Sequence, residues 1–304
     1  MKANPDSGNF GGMKPSAASI VVMTHNRKQV LEKTLDAMLQ LEYPGKYEVI
    51  VVNDGSTDGT KEMLRDKFSK SGKITIISQQ RSLPCRARNN GIGKAKYEVV
   101  VIMDDDCIPR KDWLARLMAG FDEKGVGIVS SYSVHGGTST AFLTDALRKA
   151  GGFDEEYGYY REDTDLVFRV QELGYKVKLV KAPFRHEHKM EKPRGIAGLI
   201  KYGLERAAYH MNDALLYRKH PKLAAEFLDV KFGFFVNPER DFQAATNQWW
   251  KGGKMKLASP RGIVFMENKS PLHGLLIFLG AFAWVALVKF YRLVGSIRFG
   301  KLLV

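Results

Sequence analysis

The architecture can be read outward from one run of residues: Tyr97-Glu98-Val99-Val100-Val101-Ile102-Met103-Asp104-Asp105-Asp106. The β-branched part predicts a buried parallel strand whose tip emerges into a crevice. Carboxylates crowded at one strand tip repel one another and lose hydration, so a positive partner should offset that cost. A divalent cation with a phosphorylated ligand is one such partner, and a solvated acidic turn is the alternative. The three aspartates alone do not distinguish a cation site from a solvated acidic turn.

The bulk composition indicates a folded protein with one large domain and an appendage, or with two domains. The chain has 304 residues, of which 44% are hydrophobic, and this argues against global disorder. Its two cysteines, Cys85 and Cys107, form no spaced framework, which is typical of a reducing compartment. Residues 1–16 lack an apolar core and predict a flexible tail rather than a signal peptide.

Positive charge is concentrated near the C-terminus. The net charge is +14, and residues Glu191 to Val304 hold 18 Lys and Arg against 8 Asp and Glu. Nucleic acid and an anionic membrane surface both attract such a segment. Because the sequence has no recognised nucleic-acid module with interleaved aromatics, we expect no nucleic-acid partner.

The hydrophobic periodicity alternates between strands and helices up to about residue 182. Predicted strands are Ser19–Met23, Glu48–Asn53, Lys73–Ser78, Glu98–Met103, Gly127–Ser131 and Lys176–Val180. Predicted helices are Gln29–Leu41, Gly59–Phe68, Arg86–Lys94, Asp112–Gly120 and Asp163–Leu173. This alternation predicts an α/β fold with a largely parallel, doubly wound sheet. Ligands of such sheets bind at the carboxyl ends of the strands.

The C-terminal third contains an apolar segment with basic flanks. Gly274–Val288 is 15 residues without a charge, short of the roughly 20 needed to cross a bilayer. An extension to Val294 includes Lys289 and Arg292, which would have to snorkel. These two residues share one helical face with Ser296. An interfacial or tilted membrane helix is therefore predicted, and a buried core helix is the alternative.

Polar loops follow the first two predicted strands. The first is Thr24-His25-Asn26-Arg27, and the second is Asn53-Asp54-Gly55-Ser56-Thr57-Asp58. We expect Gly55 to turn the chain and Ser56 or Thr57 to cap the next helix. Asp54 either accepts hydrogen bonds from a ligand or fixes a local turn.

Three later charged clusters each allow a functional and a structural interpretation. Arg86 and Arg88 lie near a helix start, where the dipole disfavours cations, so they suit either a phosphate-bearing ligand or a salt bridge. The pair Glu162-Asp163 also opens a helix, where the dipole alone favours acids. In Arg185-His186-Glu187-His188, one histidine could bind a metal, or both could belong to a surface loop.

In this order and spacing the motifs resemble the inverting family-2 glycosyltransferases of the GT-A fold. The matching stretches are Ser19–Thr60, Arg86–Leu114 and Gly151–Val177, within a resemblance that covers roughly residues 17–190. It implies a GT-A, Rossmann-like, mostly parallel sheet flanked by helices at residues 17–192. A C-terminal helical region that associates with a membrane would occupy residues 193–304.

The resemblance also implies roles for individual residues. The base and ribose of the nucleotide would contact Thr24, Asn26 and Asp54. The diphosphate would lie near Arg88, with Asp104 and Asp105 also on the donor nucleotide. The metal would be held by Asp106 and by His186 or, as an alternative, His188. The catalytic base would be Asp163, and the acceptor or sugar pocket would include Gly152 and Glu162.

The implied activity is transfer of one sugar from a nucleotide-diphosphate donor to a hydroxyl acceptor, with Mn²⁺ or Mg²⁺ as cofactor. A lipid-linked or cell-envelope acceptor is expected, on the cytoplasmic face of a membrane, with the protein peripheral or anchored by a single C-terminal helix. No clear Gln-x-x-Arg-Trp pattern occurs, which favours single-sugar transfer over polymer synthesis. One alternative is a nucleotidyltransferase, which normally has a glycine-rich loop with Lys or Arg after the first strand; residues 24–27 lack glycine, so this alternative is disfavoured. The other alternative is an inactive membrane-docked homologue.

Overall fold

The computed structural model describes residues 15–187, 195–246, 254–259, 262–267 and 271–304. The chain divides into two compact units, Met1–Glu187 and His188–Val304. The predicted boundary between residues 192 and 193 lies outside the described residues, as do residues 1–14 of the predicted tail.

The first unit is built on a seven-stranded sheet of order β3-β2-β1-β4-β7-β6-β8. The strands of this unit, including the separate pair β5 and β9, are β1 (Ala17–Thr24), β2 (Lys46–Asp54), β3 (Ile74–Gln79), β4 (Val99–Asp104), β5 (Cys107–Pro109), β6 (Val126–Ser130), β7 (Thr140–Leu143), β8 (Lys176–Leu179) and β9 (Phe184–His186). All neighbours in the sheet are parallel except β7, which is antiparallel to β4 and β6. The predicted mostly parallel α/β fold is therefore confirmed.

Helices cover the sheet. They are α1 (Lys28–Leu39), α2 (Thr60–Met63), which continues as a π-helical turn over Leu64–Phe68, α3 (Pro84–Ile92), α4 (Trp113–Met118), α5 (Thr144–Lys149) and α6 (Glu162–Glu172). Because both faces are covered, strand β4 is apolar without alternation, and Val99, Val100 and Val101 are all fully buried. Burial on both faces explains why the sequence of β4 is a continuous apolar run.

The start of α2 differs from the prediction. Neither Ser56 nor Thr57 caps it; Asp58 accepts a hydrogen bond from the backbone N–H of Thr60 at 3.1 Å. The same carboxylate accepts one from the N–H of Lys28 at 3.0 Å. One acid therefore serves the first turns of both α1 and α2, a contact between loops that local sequence cannot show.

The second unit is mainly helical. Its elements are α7 (Gly195–Ala208), α8 (Met211–Lys219), α9 (Pro221–Leu228), β10 (Val230–Lys231), β11 (Phe235–Val236), α10 (Pro238–Thr246), β12 (Lys254–Ser259), β13 (Gly262–Glu267) and α11 (Pro271–Phe299). Among the described residues, one segment, Phe278–Phe299, is long and apolar enough to cross a membrane. Length and composition are the whole basis of that finding, since core helices of soluble proteins also meet it.

The basic residues of α11 do not snorkel as expected. Arg292 is fully buried, and its guanidinium donates from Nε to Asp213 at 2.9 Å and from Nη2 to Asp241 at 2.7 Å. The ammonium of Lys289 donates to the carbonyl of Val236 at 2.9 Å. The polar face predicted from the helical spacing exists, but it packs inside the second unit.

Helix α3 approaches the sheet through Gly91, and this contact gives a test of the packing. A Cβ on Gly91 would lie 2.5 Å from Val21 Cγ1 and 3.1 Å from Val52 Cγ2. We expect Gly91→Ala to destabilise the protein by about 1–3 kcal/mol, because the helix must move away from strands β1 and β2. The urea midpoint measures this. The matched change Gly93→Ala, at a position whose Cβ would come no closer than 3.4 Å to another atom, should stay near the parent midpoint. Equal midpoints for both variants would contradict the packing.

Candidate active site

The three acids after β4 take different positions. Asp105 and Asp106 are buried, whereas Asp104 keeps 38% of its side chain exposed. The Asp105 carboxylate turns towards β1, where Thr24 Oγ1 donates to it at 2.7 Å. Its carbonyl accepts a hydrogen bond from Thr34 Oγ1 of α1 at 3.0 Å. The middle acid is thus fixed to the protein, and Asp104 is the one of the three that is exposed to solvent.

Arg27 supplies positive charge to this cluster, and the sequence analysis did not assign it. Its guanidinium forms ion pairs with Asp105, at 3.2 Å, and with Asp106. Burial raises the pKa of Asp105 to about 7, although Arg27 and the hydroxyl of Thr24 act against that shift. The sequence feature that could have indicated this role for Arg27 is its position directly after β1, at the carboxyl edge of the sheet.

His186 reaches the acids through a strand pair that periodicity did not reveal. Strands β5 and β9 are antiparallel, with Cys107 opposite His186. This register brings His186 Nε2 to 3.0 Å from Asp106 Oδ1, and that hydrogen bond raises the pKa of the imidazole. His188, the other predicted candidate, lies outside the described residues.

Four potential metal ligands meet here. One ligand atom from each of Asp104, Asp106, Cys107 and His186 lies within 4.8 Å of the others. Burial raises the pKa of the Cys107 thiol, and sulfur is a soft ligand that hard divalent cations do not prefer. Two carboxylates and one imidazole remain, a set that fits a hard to borderline divalent cation.

Arg88 connects β4 to the start of α6. Its Nη1 donates to Glu162 Oε1 at 3.1 Å, and its Nη2 lies 3.6 Å from Asp104 Oδ1. Burial by itself would lower the pKa of Arg88, but the nearby carboxylates outweigh it and raise the pKa. The salt-bridge alternative for this arginine is therefore realised, and it joins two acidic clusters that are far apart in sequence. Arg86 likewise pairs with Glu155, at 2.9 Å.

Asp163 lies half-buried in the first turn of α6. Burial raises its pKa to about 7; Arg88 opposes this shift and Glu162 adds to it. The two residues before the helix, Tyr160 and Arg161, have φ of 74° and 77°. Left-handed backbone at non-glycine residues costs of order 1–3 kcal/mol each, and such strain clusters at functional sites.

Gly152 is required by a close approach. A Cβ there would lie 2.7 Å from Asn89 Oδ1. That oxygen accepts from the N–H of Phe153 at 2.7 Å, while Asn89 Nδ2 donates to the Phe153 carbonyl at 2.8 Å. Asn89 of α3 therefore fixes the loop before α6, a role that the sequence analysis did not assign.

Asp54 and Asn26 organise the loops at the same carboxyl edge. The fully buried Asp54 carboxylate accepts hydrogen bonds from the backbone and hydroxyl of Ser82, both at 2.9 Å, and from Arg81 at 2.9 Å. Asn26, with φ of 53°, accepts a hydrogen bond from the N–H of Thr57 at 2.7 Å. These contacts are internal to the protein and shape the loops after β1, β2 and β3.

Solved structures share this architecture. A mannosyltransferase from Pyrobaculum calidifontis, solved with GDP-Man and Mn²⁺, aligns over 94% of this chain and 87% of its own, with a TM-score of 0.59 and 19% identity. The S. aureus protein TarS, residues 1–349 with UDP-GlcNAc, aligns over 94% and 92%, with a TM-score of 0.51 and 16% identity. At these identities the likeness concerns the fold, which is that of GT-A glycosyltransferases.

The family follows from the sequence match. The model of "Glycosyl transferase family 2" matches residues 19–175, just over half of the chain. The chain therefore belongs to glycosyltransferase family 2.

Curated relatives agree with this assignment. The glycosyltransferase AglE of Haloferax volcanii is 34% identical over 113 residues, which is 36% of this chain and 37% of AglE. The probable glycosyltransferase YdaM of Bacillus subtilis is 26% identical over 215 residues, 57% of this chain and 51% of YdaM. The chain thus spans about half or less of the length of these relatives.

The pairing of Arg27 with the buried acids can be tested by Arg27→Gln. We expect a loss of about 1–2 kcal/mol at pH 8, because the buried carboxylates of Asp105 and Asp106 lose a cationic partner that is itself 39% exposed. The raised pKa of Asp105 means that lowering the pH towards 5 protonates it in the folded state, so the loss should shrink. Thermal unfolding from pH 5 to 8 measures both effects.

The control for this variant is Arg65→Gln, which removes an exposed pair with Asp66. It should change stability little at any pH. A loss for Arg27→Gln that is the same at pH 5 and pH 8 would contradict the electrostatic explanation.

Proposed function

We propose that this chain is a divalent-cation-dependent, inverting glycosyltransferase that moves one sugar from a nucleotide-diphosphate donor to a hydroxyl acceptor. The observation that carries the proposal is the position of Arg88 between Asp104 and the acid pair that opens α6. It joins a cluster suited to a cation with a carboxylate suited to accept a proton, at the edge where α/β sheets bind ligands.

The cofactor we propose is Mn²⁺ or Mg²⁺, held by Asp106 and His186 with Asp104 beside them. The oxygens suit either cation, and the imidazole nitrogen favours Mn²⁺ because Mg²⁺ prefers an all-oxygen shell. The Pyrobaculum structure with GDP-Man and Mn²⁺ supports this choice. When bound, the cation would offset the negative charge that develops on the leaving diphosphate.

On the donor side, we assign the nucleotide to the loops after β1, β2 and β4. Thr24, Asn26 and Asp54 would form the subsite for the base and ribose, with the fully buried Thr24 and Asp54 also fixing the loops that line it. The guanidinium of Arg88, 11% exposed, would supply charge-assisted hydrogen bonds to the diphosphate. Asp104 and Asp105 would complete the donor pocket, Asp105 largely by holding its wall through Thr24.

On the acceptor side, we assign Asp163 as the base that takes the proton of the attacking hydroxyl. A carboxylate whose pKa is raised to about 7 is both available and basic near neutral pH. A single displacement by that hydroxyl inverts the anomeric carbon and needs no covalent intermediate. Gly152 and Glu162 would border the sugar and acceptor pocket. Glu162 directly precedes Asp163 and is buried against Arg88.

We place the enzyme on the cytoplasmic face of a membrane, with a lipid-linked or cell-envelope acceptor. Two features support this location. One is the apolar helix α11, and the other is the positive charge from Glu191 onward, where 18 basic residues outnumber 8 acidic ones. A membrane-bound acceptor would then be close to the enzyme without diffusion through solution.

Replacement of Asp163 tests the proposed base. We expect Asp163→Asn to retain binding of the nucleotide sugar and to reduce kcat by at least about 10²–10⁴-fold, because proton transfer is lost. The variant should also be no less stable than the parent at pH 8, since a carboxylate whose pKa is raised in the folded state is destabilising once ionised. Transfer rates, calorimetric binding and thermal unfolding measure the three quantities.

The control is Glu172→Gln, at the other end of the same helix, which should leave kcat unchanged. In the parent enzyme, kcat should fall as the pH drops below about 7, as the base becomes protonated. Normal turnover by Asp163→Asn would disprove the assignment of the base.

Replacement of His186 tests the proposed metal site. His186→Ala should weaken Mn²⁺ binding by more than the roughly 10–100-fold that loss of an outer-shell partner costs, because a direct ligand is lost. Free Mn²⁺ measured by electron paramagnetic resonance gives the affinity without any turnover. His188→Ala is the matched comparison and should bind Mn²⁺ like the parent; the reverse result would move the ligand to His188.

The donor can be found by thermal shift with a panel of nucleotide sugars, with and without Mn²⁺. GDP-Man and UDP-GlcNAc belong in the panel because the two structural neighbours bind them. A donor at 100 times its dissociation constant should stabilise the protein by about 2.7 kcal/mol. Stabilisation by nucleoside triphosphates with release of diphosphate would instead indicate a nucleotidyltransferase.

A further inference from the structure

The outer face of α11 is a continuous apolar stripe, which we call the outward stripe. Its exposed side chains recur every three or four residues, as one face of a helix requires. They are Leu279, Phe282, Ala286, Phe290, Leu293 and Ile297. The exposed fraction reaches 79% at Ile297. A contiguous exposed surface of this kind marks a site for a partner or a membrane.

The opposite face of α11 carries the polar groups. Arg292 is buried between Asp213 and Asp241, and Ser296 Oγ accepts a hydrogen bond from the N–H of Leu303 at 2.8 Å. At Gly295 the approach is so close that a Cβ would lie 2.4 Å from the carbonyl of Met211. Charge inside and hydrocarbon outside is the reverse of a helix that faces water.

We infer that α11 docks the chain on an anionic bilayer by lying in the plane of the membrane interface, with the outward stripe in the lipid. The inference rests on the membrane location proposed above, and it is independent of the transfer chemistry. It specifies the partner as a lipid surface and the arrangement as one without a membrane crossing.

Length alone would permit a crossing. The 29 residues of α11 extend about 43 Å, more than the roughly 30 Å hydrocarbon core. The neighbours of α11 oppose it. Trp284 contacts His210, Phe278 contacts Phe242, and Arg292 joins α8 to α10, so charged helices accompany the apolar segment along its length. A crossing would carry these charges into hydrocarbon, at a high cost in free energy.

Charge complementarity selects the kind of lipid. From residue 268 to Val304 the chain has no acid and five basic residues, Lys269, Lys289, Arg292, Arg298 and Lys301, of which Arg292 is already paired with Asp213 and Asp241. Arg298 is exposed, one residue from Ile297 at the end of the stripe, and Lys301 is half-buried nearby in the chain. Basic groups beside an apolar helix face bind anionic headgroups while the apolar side chains enter the acyl boundary.

Vesicle flotation of the full chain tests the inference. We expect the protein to float with vesicles of phosphatidylcholine and phosphatidylglycerol, and weakly with phosphatidylcholine alone. Ile297→Glu and Leu293→Glu should each reduce binding about tenfold or more. Arg298→Gln should reduce it about fivefold, and only on the anionic vesicles. The matched control is Leu179→Glu, an exposed leucine at the end of β8, which should float like the parent.

Protease protection separates an in-plane helix from a crossing. With protein added to preformed vesicles, a peptide tag fused after Val304 and one fused before Met1 should both be cleaved from outside. Protection of the C-terminal tag would overturn the in-plane arrangement. Equal flotation on neutral vesicles would overturn the anionic preference.

Two further measurements keep the test specific. Circular dichroism and thermal shift verify that the stripe variants fold. Sedimentation without vesicles shows whether the stripe instead joins two copies: a dimer that Ile297→Glu dissociates, with no flotation of the parent, would overturn the inference. Nucleotide-sugar binding by the stripe variants should match the parent, so loss of docking and failure of the proposed transfer activity give different results.

Discussion

The first unit depends on one electrostatic constraint, the crowding of three carboxylates at the tip of β4. Buried carboxylates this close are stable only if cations or hydrogen-bond donors face them. Arg27 approaches from the loop after β1, Arg88 from α3, and His186 from β9. Each of these residues is fixed by a different element, so the sheet, α3 and the β5–β9 pair are all positioned to satisfy the same charges.

The same constraint links the two acidic clusters to which we assign the chemistry. Arg88 faces Asp104 on one side and Glu162 on the other, and its charge opposes the rise in the pKa of Asp163. One cationic side chain is therefore shared by the strand tip and the start of α6. In the second unit the signs are exchanged: one buried cation, Arg292, is enclosed by two acids, Asp213 and Asp241. The apolar face of α11 remains exposed.

Much of the fold was predictable from local pattern. The strand β4 was recognisable because double burial leaves no polar position in it, and α1 and α6 because their apolar residues follow the helical period. Strand β7 was missed, since four residues, Thr140–Leu143, are too few to show a period. The partners Arg27 and Asn89 were also missed. Their contacts join loops and helices that local sequence does not relate.

Residue type and spacing along the chain are enough to establish the alternation of strands and helices, the acids at the tip of β4 and the membership in glycosyltransferase family 2. Which charges meet depends instead on the tertiary fold. The antiparallel register of β5 and β9 brings His186 to Asp106, and the packing of α3 brings Arg88 to Glu162. Tertiary packing also turns the basic face of α11 inward, because it supplies Asp213 and Asp241 as counter-charges. Coulomb interactions act through space rather than along the chain, so spacing in the sequence could nominate these groups but could not pair them.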